Sequence, residues 1–325
     1  ALGLAERGAK VAVVTIDPAR RLANALGLDD LGNEPHRVEL DGVPGELWAM
    51  MLDPKRTFDE LIERLAPDAR TRDEVLANRI YQQLSTAVAG SQEFTAIAKL
   101  YELDQSHQFD VLVLDTPPSR NALDFLDAPG RLTRFFQGRA IRMFLRPAGL
   151  SGRILGRGTG LVFGVLQRVT GVDLLRDLSV FFRSLSGMID GFTERARRVE
   201  ALLADPATTF LIVSAPRHDP VEEAIFFYRK LRDAGMPFGG LVVNRVHQPP
   251  PEELPEPVAA GLGAALAERV SIAAAELRAL AARDAANVQR LRDALDDPPT
   301  VIVPELDDDV HDVDGLERVR SHLFQ

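Results

Sequence analysis

Six short runs of β-branched and aliphatic residues recur along the chain with longer helical patterns between them: KVAVVT (10–15), LWAMML (47–52), DVLVLD (110–115), TTFLIVSA (208–215), FGGLVVN (238–244) and TVIVPE (300–305). Strand-length runs separated by helical stretches need crossover connections, and a crossover joins parallel strands. The runs are apolar without alternation, so both faces of the sheet are expected under helices. The fold class expected is α/β, a doubly wound and mostly parallel sheet, with ligands in the crevice beyond the carboxyl ends of the strands.

Residues 55–107 and 131–204 break the βαβ rhythm, being long and helical in pattern with no convincing strand. They are expected to form a helical subdomain inserted in a core made of residues 1–54, 108–130 and 205–325. The Pro-rich HQPPPEELPEPV (247–258) reads as a stiff surface loop. ALGLAERGAK at the amino end has neither a basic region nor a long apolar core, so it reads as the end of an amphipathic helix and not as a signal peptide. No run of about 18 apolar residues is present, which makes a spanning helix unexpected and a cytoplasmic location the default.

With 325 residues, 46% of them hydrophobic, the chain can bury a large core. Its net charge of -10 argues against nucleic acid as the main partner. There is no Cys, which removes disulfides, thiol catalysis and thiolate metal sites together. His36, His107, His218, His247, His311 and His322 are scattered without ligand spacing and are expected at surface or cap positions.

Two acids stand where the expected strands end. Asp17 in VAVVTIDPARRLANALG precedes Pro18 and a helical pattern, so it suits a helix N-cap as well as a working carboxylate. Asp115 closes VLVLD and is followed by TPPSRNALDFL, a stiff polar turn of the kind that can respond to a γ-phosphate. An apolar strand ending in Asp is also common for structural reasons alone. Together, however, the two acids match what metal-dependent phosphoryl transfer requires: one carboxylate near Mg²⁺ and one to orient the attacking water.

On these residues the chain resembles the arsenite-transport ATPases and their relatives that target tail-anchored membrane proteins, within the deviant Walker A class of P-loop ATPases. TIDPARRLANALG is similar to that family's first switch, and LDTPPSRNALDFLDAP to its second. LVVNRV resembles the strand with its adenine-contacting Asn, and VPEL (303–306) its base-side loop near the carboxyl end. The resemblance covers nearly the whole chain, and the two switches are its specific part.

The resemblance implies a P-loop NTPase type of fold and an ATP- and Mg²⁺-dependent ATPase. It implies that Asp17 positions the hydrolytic water, that Asp115 serves the Mg²⁺ shell through water, and that Asn244 hydrogen-bonds adenine. It further implies that Arg245, Pro304 and Glu305 lie at the base and that Pro117 and Ser119 belong to the second switch. An Asn amide offers a purine edge both a donor and an acceptor, although a strand-end Asn is equally a turn residue.

The chain also departs from the family. No loop of the form G-K-G-G-V-G-K-T is present to cradle phosphates. ALGLAERG resembles the second half of the helix that should follow such a loop, and the polypeptide as written is expected to bind ATP poorly. GRILGRGTG (152–160) is Gly-rich but lacks Lys and follows no strand, which fits a hinge or loop better. Arg120 and Asn121 replace the Gly-His pair usual in the second switch. Without Cys, neither the zinc clamp of the targeting factors nor thiolate carriage of arsenite is expected.

Residues 131–192 are rich in Phe, Leu, Val and Met with interspersed Arg. Such stripes serve as core, as a groove for a client's apolar helix, or as a membrane-surface helix, with Arg134, Arg139, Arg142 and Arg146 as a basic face. The resemblance favours a nucleotide-driven dimer, with itself or with a related ATPase, that captures a hydrophobic helix or membrane-protein client. Membrane contact would then be indirect or transient. A non-hydrolysing helical chaperone or adaptor is the alternative if a phosphate loop is truly lacking. A partitioning ATPase is disfavoured by so large a helical insertion.

Overall fold

The first apolar run becomes the innermost strand of its sheet: β1 (Lys10–Thr15) buries every residue after Lys10. A computed structural model of the protein describes residues 1–16, 21–28, 31–82, 91–116, 180–252, 263–310 and 312–324, together with residues 130, 134 and 261. The chain divides into two compact units: one takes residues 1, 3–20 and 30–202, the other residues 2, 21–29 and 203–325.

In the first unit β1 is flanked by parallel partners, β3 (Glu46–Met51) on one side and β4 (Val111–Asp115) on the other. The order is β2-β3-β1-β4, with β2 (His36–Val38) antiparallel at the edge. Thr15 registers with both Met51 and Asp115, so three strands end at one level. Gly45 enters β3 beneath the turn after α1 (Leu2–Ala5), where an added Cβ would stand 2.3 Å from the Ala9 carbonyl oxygen. Only a residue without a side chain allows that approach.

Helices α3 (Pro54–Leu65), α4 (Ala69–Leu76), α5 (Ser91–Ser106) and α6 (Ile189–Leu203) supply this unit's helical part. Asp53 caps α3 by accepting from the Arg56 N–H at 3.0 Å, with Pro54 next in the chain. Here an Asp-Pro pair is a helix start. Phe58 stacks between Tyr81 and Phe192 at centroid separations of 5.9 and 5.8 Å. Lys99 on α5 is 2% exposed, and its ammonium lies 3.6, 3.7 and 3.5 Å from Glu34, Glu60 and Glu102. A charge so buried persists only among partners, and three carboxylates provide them. Burial pushes the Glu102 carboxyl up, but Arg64 and Lys99 pull it down further, leaving it below the usual carboxylate range.

The second unit is a parallel sheet in the order β5-β6-β7, formed by Phe210–Ser214, Phe238–Val246 and Thr300–Pro304. Helices α2 (Arg21–Ala25), α7 (His218–Asp233), α8 (Ala264–Ala294) and α9 (Val313–Leu323) belong to it. Leu241, Val243, Leu231, Leu291 and Val303 form its core. On edge strand β5, Leu211 and Val213 are 59% and 67% exposed.

All six expected strands are present, in a mixed α/β fold with mostly parallel sheets, but they fall into a four-stranded and a three-stranded sheet. β2 was not expected, because three residues with an exposed His and Arg carry no strand pattern. The contact division also groups α3 to α6 with the four-stranded sheet, so the separate helical subdomain stands as a proposal.

Candidate functional site

A cleft of about 510 Å³ opens in the second unit beyond the carboxyl ends of β6 and β7. Asn244 and Arg245 line it from β6, Pro304 and Glu305 from the end of β7, and Arg21 and Asn24 from α2. Arg21 and Asn24 are three residues apart on a helix and therefore share a face.

A β-bulge delivers Asn244 to this cleft. Val243 pairs with Ile302 but Val246 with Pro304, so β6 spends one residue more than β7 over that span. Arg245 absorbs the excess with φ of 62°, in the left-handed region. Bulges of this kind re-aim a side chain at a strand end. The Asn244 Oδ1 accepts from the Arg245 N–H at 2.9 Å, which orients the amide and leaves its NH₂ as a donor. Beyond the bulge the ladder resumes, with the Glu305 N–H donating to the Val246 carbonyl at 3.0 Å. The Arg245 guanidinium lies 3.9 Å from Asp309, another residue of the cleft wall.

The segment after the bulge is anchored from α8. Asp284, fully buried, accepts from the His247 N–H at 3.1 Å and meets the His247 ring Nδ1 at 2.6 Å. Its other oxygen accepts from Arg283 at 2.9 Å. Burial alone would raise the Asp284 carboxyl, but these hydrogen bonds outweigh it and hold the group below its ordinary value. His247, expected at a surface or cap position, is half-buried and tied to a buried acid. Its partner lies 37 residues away, a separation that no local spacing rule reaches.

In the first unit, Asp115 ends β4 and accepts from the Thr15 hydroxyl at 3.0 Å. The pair places two oxygen groups side by side at the strand ends. Asp17, Pro117 and Ser119, like Arg120 and Asn121, lie outside the described residues. Of the sequence-expected positions, then, Asn244, Arg245, Pro304 and Glu305 come together in one cleft. Arg21, Asn24, Asp309, His247 and Asp284 are additions from the structure.

The family model for the anion-transporting ATPases matches residues 1–260 of the 325. The chain belongs to the anion-transporting ATPase family. Among curated relatives of this family, it is 28% identical over 254 residues to "ATPase GET3" of Malassezia globosa, covering 77% of this chain and 68% of that protein. It is 25% identical over 276 residues to "ATPase ARSA1" of Chlamydomonas reinhardtii, covering 77% of this chain and 33% of that one. It is 26% identical over 251 residues to the "Arsenical pump-driving ATPase" of Acidiphilium multivorum, covering 76% and 36%. The chain thus spans about a third of the length of two of these relatives and about two thirds of the other.

Within this anion-transporting ATPase family member, no helix among the described residues is long and apolar enough to cross a membrane. Among the same residues, no group of three or more acidic or His side chains is arranged to hold a metal ion. An octahedral Mg²⁺ that retains most of its water shell needs only one or two protein oxygens, and the donor chemistry of Asp115 and Thr15 fits that demand.

Proposed function

We propose that the protein is a Mg²⁺-dependent ATPase whose adenine site is the cleft at the ends of β6 and β7. The observation that carries this reading is the convergence of Asn244 and Arg245 with Pro304 and Glu305, from segments about sixty residues apart, on one cleft of about 510 Å³. The volume suits a small ligand, and the bulge-set Asn244 amide supplies the hydrogen bonds a purine edge needs. Asp115 would hold Mg²⁺ through water, where the ion would neutralise charge on the phosphates. Asp17 orients the attacking water, and Pro117 and Ser119 form part of the switch that senses the γ-phosphate.

Membership in the anion-transporting ATPase family supports hydrolysis as the activity. Relatives named as ATPases support ATP turnover, and the resemblance of the switch segments to factors that target tail-anchored membrane proteins supports a working unit that couples ATP to a hydrophobic or membrane-protein client. On this reading the protein works in the cytoplasm as a dimer, with itself or with a related ATPase. Residues 55–107 and 131–204 act as the helical subdomain that meets the client. ATP favours one arrangement and hydrolysis releases it, through differential contacts in the two states. Residues 1–325 include no Gly-rich loop with Lys and Thr, so hydrolysis is assigned to a protein carrying such a loop, and residues 1–325 alone are expected to be inactive.

The test uses the full-length protein. Asp17→Asn is expected to abolish ATP turnover while leaving nucleotide affinity within about twofold of wild type. Asn244→Ala is expected to weaken ATP binding about tenfold, the loss of one or two hydrogen bonds. Wild-type turnover in the first variant or wild-type affinity in the second would remove that residue from the reading. A full-length protein that binds a client helix but never hydrolyses ATP would favour the non-hydrolysing adaptor instead.

A further inference from the structure

Arg245 is a non-glycine residue held at φ of 62°. A side chain in that left-handed region is disfavoured and persists only where the surroundings fix the chain around it. On the near side, the Arg245 N–H is bound by the Asn244 amide at 2.9 Å. On the far side, Val246 returns to its ladder with β7. His247 then gives two hydrogen bonds to one oxygen of Asp284, from its backbone N–H at 3.1 Å and from its ring Nδ1 at 2.6 Å. Asp284 is fully buried, and a carboxylate is costly to bury. A chain merely leaving the sheet needs no such group.

The part of α8 that carries Asp284 is itself fixed. Asn287, three residues on and on the same face, donates to the Pro216 carbonyl just past β5 at 3.0 Å. Arg290 pairs with Glu222 of α7, and Leu291 is buried. Asp284 is therefore a rigid point of reference. The two α8 side chains divide the strand ends between them, with Asn287 holding the chain that leaves β5 and Asp284 the chain that leaves β6.

We propose that His247 is a positioning residue for base selectivity: clamped on Asp284, it keeps the bulge in place and the Asn244 amide in one orientation, so that the cleft takes adenine in preference to a 6-oxopurine. This role rests on the adenine reading above and adds the residue that enforces the choice of base. On the edge that carries positions 1 and 6, adenine offers an amino donor beside a ring-nitrogen acceptor, which an amide meets with its carbonyl and its NH₂. A 6-oxopurine inverts that pattern, with a carbonyl acceptor beside a ring N–H donor. An amide that could turn over would serve either base equally well. With Oδ1 held by the Arg245 N–H, the Asn244 amide serves only one, and the wrong base leaves polar groups unpaired. His247 is not among the described residues that line the cleft, so it acts through the backbone and not by touching the base.

The test is calorimetric titration of the full-length protein with ATP and with ITP, which carries a 6-oxopurine on the same ribose and phosphates. Wild type is expected to prefer ATP by about tenfold or more. His247→Leu, whose side chain cannot donate to Asp284, should reduce that preference at least about threefold. His247→Asn, whose NH₂ stands near the place of the ring Nδ1, should keep it within about twofold of wild type. Asn287→Ala loosens the other strand end held by α8; it should lower the urea midpoint and leave the preference within about twofold, which separates aiming from stability. The preference is a ratio of two affinities of the same folded molecules, so a partly unfolded preparation does not alter it. In an Asn244→Ala background, His247→Leu should change the preference no further, because both act through one amide. If Asn244→Ala loses the preference and His247→Leu keeps it, the positioning role is overturned and the adenine reading stands. A preference that falls as far in Asn287→Ala as in His247→Leu would also overturn the role, as general loosening. Equal affinities in wild type, or a preference that survives Asn244→Ala, would overturn both.

Discussion

Asp284 shows how one buried acid can hold the chain that leaves β6. It has no exposed surface, yet it binds the ring and backbone of His247 and the guanidinium of Arg283, and so fixes the chain three residues past Asn244. Its carboxyl titrates below the usual range when folded, so its stabilisation is complete above the unfolded value of about 4 and is lost as pH falls through the folded value. Asp284→Asn is therefore expected to cost about 1–3 kcal/mol at pH 7, and urea midpoints of the two proteins should converge at pH values well below about 4. A gap that stays constant down to acid pH would contradict the account. None of this was legible in the sequence, where RALAARDAANVQR reads as a helix with solvated charges. Asn244 was reached through the resemblance of LVVNRV to the family's adenine-side strand. The bulge that aims it was not, since φ of 62° at Arg245 follows from the pairing of β6 with β7.

The elements that sequence pattern reveals are the apolar runs long enough to make a strand, whatever exposure they end with. KVAVVT is buried from Val11 onward while Leu211 and Val213 of β5 stay exposed, yet both runs became strands, whereas β2 has its place only by pairing with β3 at an edge. The packing of α3 against α5 was equally hidden, since Lys99 sits inside it within reach of three carboxylates. A Lys in a helical pattern reads as solvent-facing, and only the acids around it make burial tolerable. Lys99→Met should thus destabilise the first unit by about 1–3 kcal/mol, through the loss of the Lys99 ion pairs with Glu34, Glu60 and Glu102, and Glu60→Gln in the same chain should recover part of that loss. Chemical denaturation of the single and double variants checks both. A Lys99→Met protein as stable as wild type would show that the cluster does not hold the helices together.

At the scale of the whole molecule, alternating runs and helical stretches were enough to reach the α/β class and, with the two switch-like segments, the ATPase family. The division of the strands into sheets of four and three could not be read, because strand order belongs to tertiary contacts and not to local pattern. The four cleft residues are the point where family, fold and chemistry meet, since their convergence depends on parallel β6 and β7 ending side by side. Photolabelling of the full-length protein with 2-azido-ATP, followed by peptide mapping, tests that claim most directly. Label is predicted in peptides containing Asn244 or Pro304 and Glu305, removed by excess ATP and not by CTP. Label confined to other segments, or label that CTP removes as readily, would contradict the adenine site.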